Sequence, residues 1–330
     1  MTTQIILPLL VGLGIFLTGM KIMELALHGW AGSYLTGLVE TFTRTPVRGL
    51  FIGTGVTAVL QSSSALTVIT IGLVNAGIMT FPKTLGIILG SNIGTCLTTE
   101  LIGLNINKLA FPALLGSASI WLGSVALSSF VRSRRPQRAL HHIRSLSLAV
   151  SGFSSVLLGV EVMQTIVPLL QSRGLFGWFV EHAQRSVLWG FAAGAILTAV
   201  IHSSAATIAM TMGLAAVDAI PVELGVAIVL GANVGTCVTA LMAAIGGTRS
   251  GQFVAWAHIS LNVGGALLFL PLLPLLHQAS ALFASSPSGQ IAHAQTIFNV
   301  VSSLIALPFC YLPVFGGGPR GPVNNYPTGL

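Results

Sequence analysis

The chain has 330 residues, 53% of them hydrophobic and only 6% charged, with a mean hydropathy of +0.90 and a formal net charge of +7. Soluble domains carry about a quarter charged residues, so the composition excludes an ordinary water-soluble fold and reads as an all-α polytopic membrane protein. The basic excess does not point to nucleic acid: Arg132, Arg134, Arg135, Arg138 and Arg144 fall in one short segment between apolar runs, as in a loop that anchors helices at the cytoplasmic lipid surface.

Taken in order, Ile5 to Leu27 is apolar and long enough to cross a ~30 Å hydrocarbon core at ~1.5 Å per residue, and it reads as a retained span rather than a signal peptide. Trp30 to Thr45, with Trp30, Tyr34, Glu40 and Arg44, suits a helix lying at the interface and closed by Pro46. Leu50 to Ala76 is an uncharged apolar run split by Gln61-Ser62-Ser63-Ser64. Pieces of ~12 to 14 residues are too short to span and predict a re-entrant hairpin. Lys83 to Gly103 reads as a helix interrupted at Gly90-Ser-Asn-Ile-Gly94, and Ala110 to Val131 as a plain span.

The second half repeats this plan. Thr198-Ala-Val-Ile-His202-Ser203-Ser204 lies ~141 positions after Thr57-Ala-Val-Leu-Gln61-Ser62-Ser63, and Gly231-Ala-Asn233-Val-Gly235-Thr236-Cys237 repeats Gly90-Ser-Asn92-Ile-Gly94-Thr95-Cys96; such internal similarity marks the architecture. Gly12 and Gly19 find weaker counterparts in Gly152 and Gly159. Leu146 to Leu170 and Phe253 to Leu276 are the spans of this copy, Leu175 to Arg185 its interfacial segment, Leu188 to Val217 its hairpin and Glu223 to Gly246 its broken helix. His277 to Gln290 reads as a Ser-rich loop, and Ile291 to Leu312 as one unrepeated span. The expected units are residues 1–141, 142–276, an additional helix within 277–315 and a disordered tail over 316–330.

If the hairpins do not cross, each unit crosses three times, so the two copies face opposite ways as inverted-topology repeats. Placing the arginine-rich linker inside then also puts Arg44, Arg48, Lys83, Arg249 and Arg320 inside, with Lys108, Arg173 and Arg185 outside.

A hairpin tip with hydroxyls at the start of its second half-helix offers free backbone N–H groups and the positive end of a helix dipole, both suited to an anion. Two such tips from opposite sides make one pocket, with Ser62, Ser63, Ser64, His202, Ser203 and Ser204 as anion ligands. Gln61, Asn92, Thr95, Asn233 and Thr236 offer neutral oxygens of the kind that hold Na⁺. Glu100 is a candidate intramembrane acid, Cys96 and Cys237 read as packing residues, and Ala257-His258 with Asn262 resembles Ala292-His293 with Asn299. The three cysteines suggest neither a disulfide framework nor a metal site. No Gly-x-Ser-x-Gly, His-Glu-x-x-His or phosphate-loop motif is present, so an enzyme is not expected.

Gln61-Ser-Ser-Ser with Gly90-Ser-Asn-Ile-Gly-Thr, and the second copy His202-Ser-Ser with Gly231-Ala-Asn-Val-Gly-Thr, resemble the type II sodium-phosphate cotransporter family over roughly Gly12 to Pro313. The resemblance implies a cell-membrane symporter that couples Na⁺ to inorganic phosphate by alternating access, needs no other cofactor and is compatible with homo-oligomers. The two serine motifs would form its substrate and sodium sites. His202 in place of Gln and Ala205 in place of a third Ser depart from the motif. The residues alone leave another oxyanion, such as sulfate or a carboxylate, or an anion channel as the alternative.

Overall fold

The computed structural model describes residues 3–312 except 44, 131, 132 and 173. Arg44, Arg132, Arg173, Arg320 and the 316–330 tail lie outside the described residues. The first half comprises α1 (Thr3–Phe42), α2 (Pro46–Leu60), α3 (Ser63–Asn75), α4 (Phe81–Gly94), α5 (Cys96–Gly103) and α6 (Ala110–Phe130). The second comprises α7 (Arg134–Gln164), α8 (Val167–Gln171), α9 (Gly174–Arg185), α10 (Val187–Ile201), α11 (Ser204–Ala216), α12 (Val222–Gly235), α13 (Cys237–Ala244) and α14 (Arg249–Phe269), followed by α15 (Leu273–Ala281) and α16 (Pro287–Ala306). Among the described residues seven helices are long and apolar enough to cross a membrane, counting α4 with α5 and α12 with α13 as one each. The half-length helices α2, α3, α10 and α11 are not among them.

Four boundaries differ from the sequence reading. The first span and the interfacial helix are one helix, α1, of 40 residues. Nothing between Pro8 and Phe42 breaks it, and Pro46 does not close it but opens α2 behind an N-cap at Thr45, whose hydroxyl accepts the Arg48 N–H at 3.3 Å. At ~1.5 Å per residue α1 is ~60 Å long, twice a ~30 Å hydrocarbon core, so one half must still run in or beyond the interface. The arginine-rich linker is helical from Arg134 and forms the first turns of α7, where His142 accepts the indole N–H of Trp30 at 2.7 Å. The span of the second copy ends at Phe269, and α15 takes up part of the expected Ser-rich loop.

The last difference concerns the broken helices. They are not unwound over Gly90–Gly94: the ladder is interrupted at Thr95 and Thr236, which keep helical angles of φ −66, ψ −22 and φ −63, ψ −21. Each hydroxyl turns back on a carbonyl three residues earlier, Thr95 on Asn92 at 2.7 Å and Thr236 on Asn233 at 2.6 Å, competing with the backbone ladder.

The glycines serve packing instead. A Cβ on Gly86 or Gly90 would collide with the carbonyl oxygens of Pro46 and Leu50, and one on Gly94 would lie 2.6 Å from that of Thr54, so α4 lies with its backbone against α2. Gly194, Gly231 and Gly235 do the same between α10 and α12, meeting the carbonyls of Ile228, Phe191 and Ala195. Helices in lipid associate through such small-residue contacts because apolar burial gives them no drive. A third glycine interface joins the two halves. A Cβ on Gly12 would come within 2.9 Å of the Gly159 carbonyl, and one on Gly19 within 2.6 Å of that of Gly152; residue numbers fall along α7 as they rise along α1, so the two helices are antiparallel. One apolar core gathers Phe16 of α1, Val156 and Val160 of α7, Ile208 and Met212 of α11 and Val229 of α12. A second gathers Leu35 and Val39 of α1 with Leu60, Leu66, Ile71 and Ile88 from α2 to α4.

Gly231→Ala should therefore destabilise the protein by the ~1–3 kcal/mol typical of overpacking, measured by thermal unfolding in detergent. Gly116→Ala, where a Cβ meets nothing within 4 Å, should be neutral or stabilising, and equal melting of Gly231→Ala and wild type would disprove the backbone contact.

Candidate functional site

Each half-length pair turns on a non-glycine residue in the left-handed region. Gln61 (φ 57, ψ 25) ends α2 with its N–H on the Thr57 carbonyl at 2.7 Å, and His202 (φ 58, ψ 25) ends α10 with its N–H on the Thr198 carbonyl at 2.8 Å. The αL conformation is disfavoured for L-residues outside glycine, so two copies with the same angles indicate a turn that the surroundings enforce. Gln61 is tied down by its side chain, which donates to the Ala58 carbonyl and accepts the Thr98 hydroxyl.

The following serine is extended and caps the next helix. Ser62 Oγ accepts the Ala65 N–H and Ser203 Oγ accepts the Ala206 N–H, each at 3.2 Å. Each hydroxyl keeps its proton to donate, and the N–H groups of Ser63, Ser64, Ser204 and Ala205, in the first turns of α3 and α11, have no carbonyl within their own helix.

Both tips open on one cavity of about 700 Å³. Gln61 to Ser64 line it from one half and His202 to Ser204 from the other, and Thr95 and Thr236 stand at its wall. Two helix N-termini converge there, each worth about half a positive charge. Among the lining residues the single carboxylate, Glu24, is paired with Lys21 at 3.1 Å. The cavity is thus rich in neutral donors with a positive bias, an arrangement suited to an oxyanion.

Asn92 and Asn233 do not line this cavity. Asn92 donates to Asn262 Oδ1 at 2.8 Å, and Asn233 to the Val229 carbonyl of its own helix at 2.9 Å. Glu100 is not in the cavity either: it pairs with His293 at 3.0 Å and accepts the Thr296 hydroxyl. Cys96 and Cys237 are buried, their sulfurs accepting N–H groups of Asn299 at 3.2 Å and Asn262 at 3.7 Å. The cavity adds residues that sequence reasoning left out: Thr98, Thr239, Gln295, and Lys21, Glu24 and His28 of α1. Thr98 and Thr239 were visible as repeated hydroxyls, and Ser64 lies 3.5 Å from Thr239 across the halves. Gln295 belongs to the unrepeated α16 and carried no such signal.

The Na+/Pi-cotransporter family matches this chain twice, over residues 15–165 and 156–285. "Uncharacterized protein YqeW" of Bacillus subtilis (strain 168) is 32% identical over 301 residues, covering 90% of this chain and 92% of that protein. "Putative inorganic phosphate export protein YjbB" of Escherichia coli (strain K12) is 24% identical over 305 residues, 92% of this chain but 53% of that longer protein. "Sodium-dependent phosphate transport protein 2A" of Rattus norvegicus is 34% identical over 101 residues, 29% of this chain and 16% of that protein. No solved structure matches.

Because Ser62 and Ser203 cap α3 and α11, Ser62→Ala and Ser203→Ala should each lower stability by ~1 kcal/mol, seen as a drop in melting temperature without added ligand. Glycine at the same positions should cost only a few tenths. Unchanged melting of both alanine variants would show that the caps do not hold the tips.

Proposed function

The chain belongs to the Na+/Pi-cotransporter family, and on that premise we propose that this multi-pass cell-membrane protein couples Na⁺ to the movement of inorganic phosphate by alternating access. The observation that carries the proposal is the meeting of two serine-capped helix N-termini in one cavity. Ser62, Ser63, Ser64, Ser203 and Ser204 direct O–H and N–H donors at the anion, with His202 at the rim of the second tip. Gln61, Thr95 and Thr236 supply neutral oxygens to Na⁺ from the wall. Asn92 and Asn233 support them from behind, their carbonyls holding the two threonine hydroxyls.

The same reading makes residues 1–141 and 142–276 inverted repeats, with 277–315 as an added helical segment. The contacts between α1 and α7 support it. Gly12 corresponds to Gly152 and Gly19 to Gly159 in the repeat, and both Gly12 with Gly159 and the exchanged pair Gly152 with Gly19 are in contact. A two-fold axis through an antiparallel helix pair produces this reciprocity. Its functional value is that two hairpins of equal build enter from opposite faces, so a small rocking of one half against the other exposes the same anion to either side.

The test is radiolabelled phosphate flux in proteoliposomes, in both directions because relatives are named for export and for sodium-dependent transport. Phosphate should accumulate only down an imposed Na⁺ gradient, with sulfate and citrate competing poorly. Gradient-independent flux would remove the coupling, and equal competition would move the substrate to oxyanions in general. Ser63→Ala and Ser204→Ala should each weaken phosphate binding roughly tenfold or more, since a hydrogen bond to a charged group contributes ~1.5–3 kcal/mol. In a protein freed of Cys96, Cys237 and Cys310, single cysteines at Ser133 and Ser285 should label from opposite sides of the membrane. Labelling from one side would rule out three crossings per repeat.

A further inference from the structure

The motif residues around the cavity come in pairs, one from each half: Gln61 with His202, Ser62 with Ser203, Thr95 with Thr236, Thr98 with Thr239. Gln295 does not. It reaches the cavity from α16, which lies outside the sequence repeat, and the residue is only 2% exposed. Its Oε1 accepts the Thr99 hydroxyl at 2.5 Å. One end of the amide is therefore spent on the protein, and the two N–H donors of Nε2 are the end left for the cavity. A nearly buried donor is costly to leave unpaired.

The placement of this amide is rigid. On the faces of α16 around Gln295, His293 pairs with Glu100 at 3.0 Å, the Thr296 hydroxyl donates to the same carboxylate, Asn299 donates to Cys96 Sγ at 3.2 Å and Ser303 donates to the Leu89 carbonyl at 3.2 Å. These bonds fix α16 along α4 and α5, and a donor held in advance loses little entropy on binding. Asn262 holds Cys237 as Asn299 holds Cys96, so one turn earlier His258 stands where Gln295 stands. Yet His258 is buried without lining the cavity, and Thr99 is replaced in the second copy by Ala240, which has no hydroxyl.

We infer that Gln295 donates its amide N–H groups to the bound anion, so that α16 is a third wall of the substrate site and the site departs from two-fold symmetry on the α5 side. This rests on the anion-transport reading above.

The experiment compares wild type with Gln295→Glu and Gln295→Leu in proteoliposomes, using phosphate and, in parallel, sulfate. Glutamate keeps an oxygen for the Thr99 hydroxyl but removes the donors and adds a negative charge; leucine removes both. Both variants should raise the KM for phosphate by roughly tenfold or more, the loss expected for a bond to a charged group, with Gln295→Glu the worse, Vmax within about twofold and melting of Gln295→Glu near wild type. If Gln295→Glu does not fold, Gln295→Asn, which draws the amide back by one carbon, should show the same rise in KM. A Gln295→Glu protein with the wild-type KM would overturn the inference. So would one that leaves that KM alone while tightening the apparent Na⁺ affinity, because the amide would then face a cation. Failure of the wild type itself to carry phosphate counts against the functional reading instead, and the sulfate arm then tests Gln295 on the anion that is carried.

Discussion

A helix too short to cross a bilayer has no interface at its far end to set its depth, so its neighbour must set it. In both halves of this protein the neighbour does so by direct backbone contact. The carbonyls of Pro46, Leu50 and Thr54 on α2 each meet a glycine of α4, one helical turn apart, and the contacts of Phe191 and Ala195 on α10 with glycines of α12 repeat the pattern. A slip by one residue would drive a Cβ into a carbonyl, which defines both the register and the depth of the tip. The serine caps, the left-handed turns at Gln61 and His202 and the common cavity all follow from where these two pairs stop.

Much of this was legible because polar residues inside an apolar run have few explanations. The breaks at Gln61-Ser62 and His202-Ser203 lie where the sequence placed them, since serines that compete for backbone bonds start helices rather than continue them. The glycines were visible but ambiguous. A glycine every four residues fits a loosened helix as well as a closely packed one, and only the facing carbonyls of another helix decide. Asn92 and Asn233 carried the same ambiguity: repetition marks a residue as necessary without saying whether it faces a ligand or a neighbouring helix. The helical start of α7 was hidden because arginines without an apolar stripe resemble a loop. Gln295 was illegible for a different reason, since its meaning lies in a contact with Thr99 that is 196 residues away in the chain.

The chemistry of the cavity suits a carrier more than a trap. Its donors are hydroxyls, amides, helix ends and the imidazoles of His28 and His202, and its lysine is already paired with Glu24. Guanidinium forks bind oxyanions with strong charge-assisted bonds. Neutral donors and dipoles hold the same groups with less energy, and an anion must leave as readily as it enters for a cycle to turn over.

The bonds that fasten α16 also have an order in time. Glu100, Thr99 and Cys96 are made 193, 196 and 203 residues before His293, Gln295 and Asn299. At translation rates of about 5–20 residues per second, the Glu100 carboxylate waits roughly 10 to 40 s for its imidazole after it leaves the ribosome. During that interval the acid has none of its α16 partners, and an unpaired acid within a membrane-spanning segment is costly. A polypeptide released before α16 would lack both the imidazole and the Thr296 hydroxyl that meet this carboxylate in the folded protein.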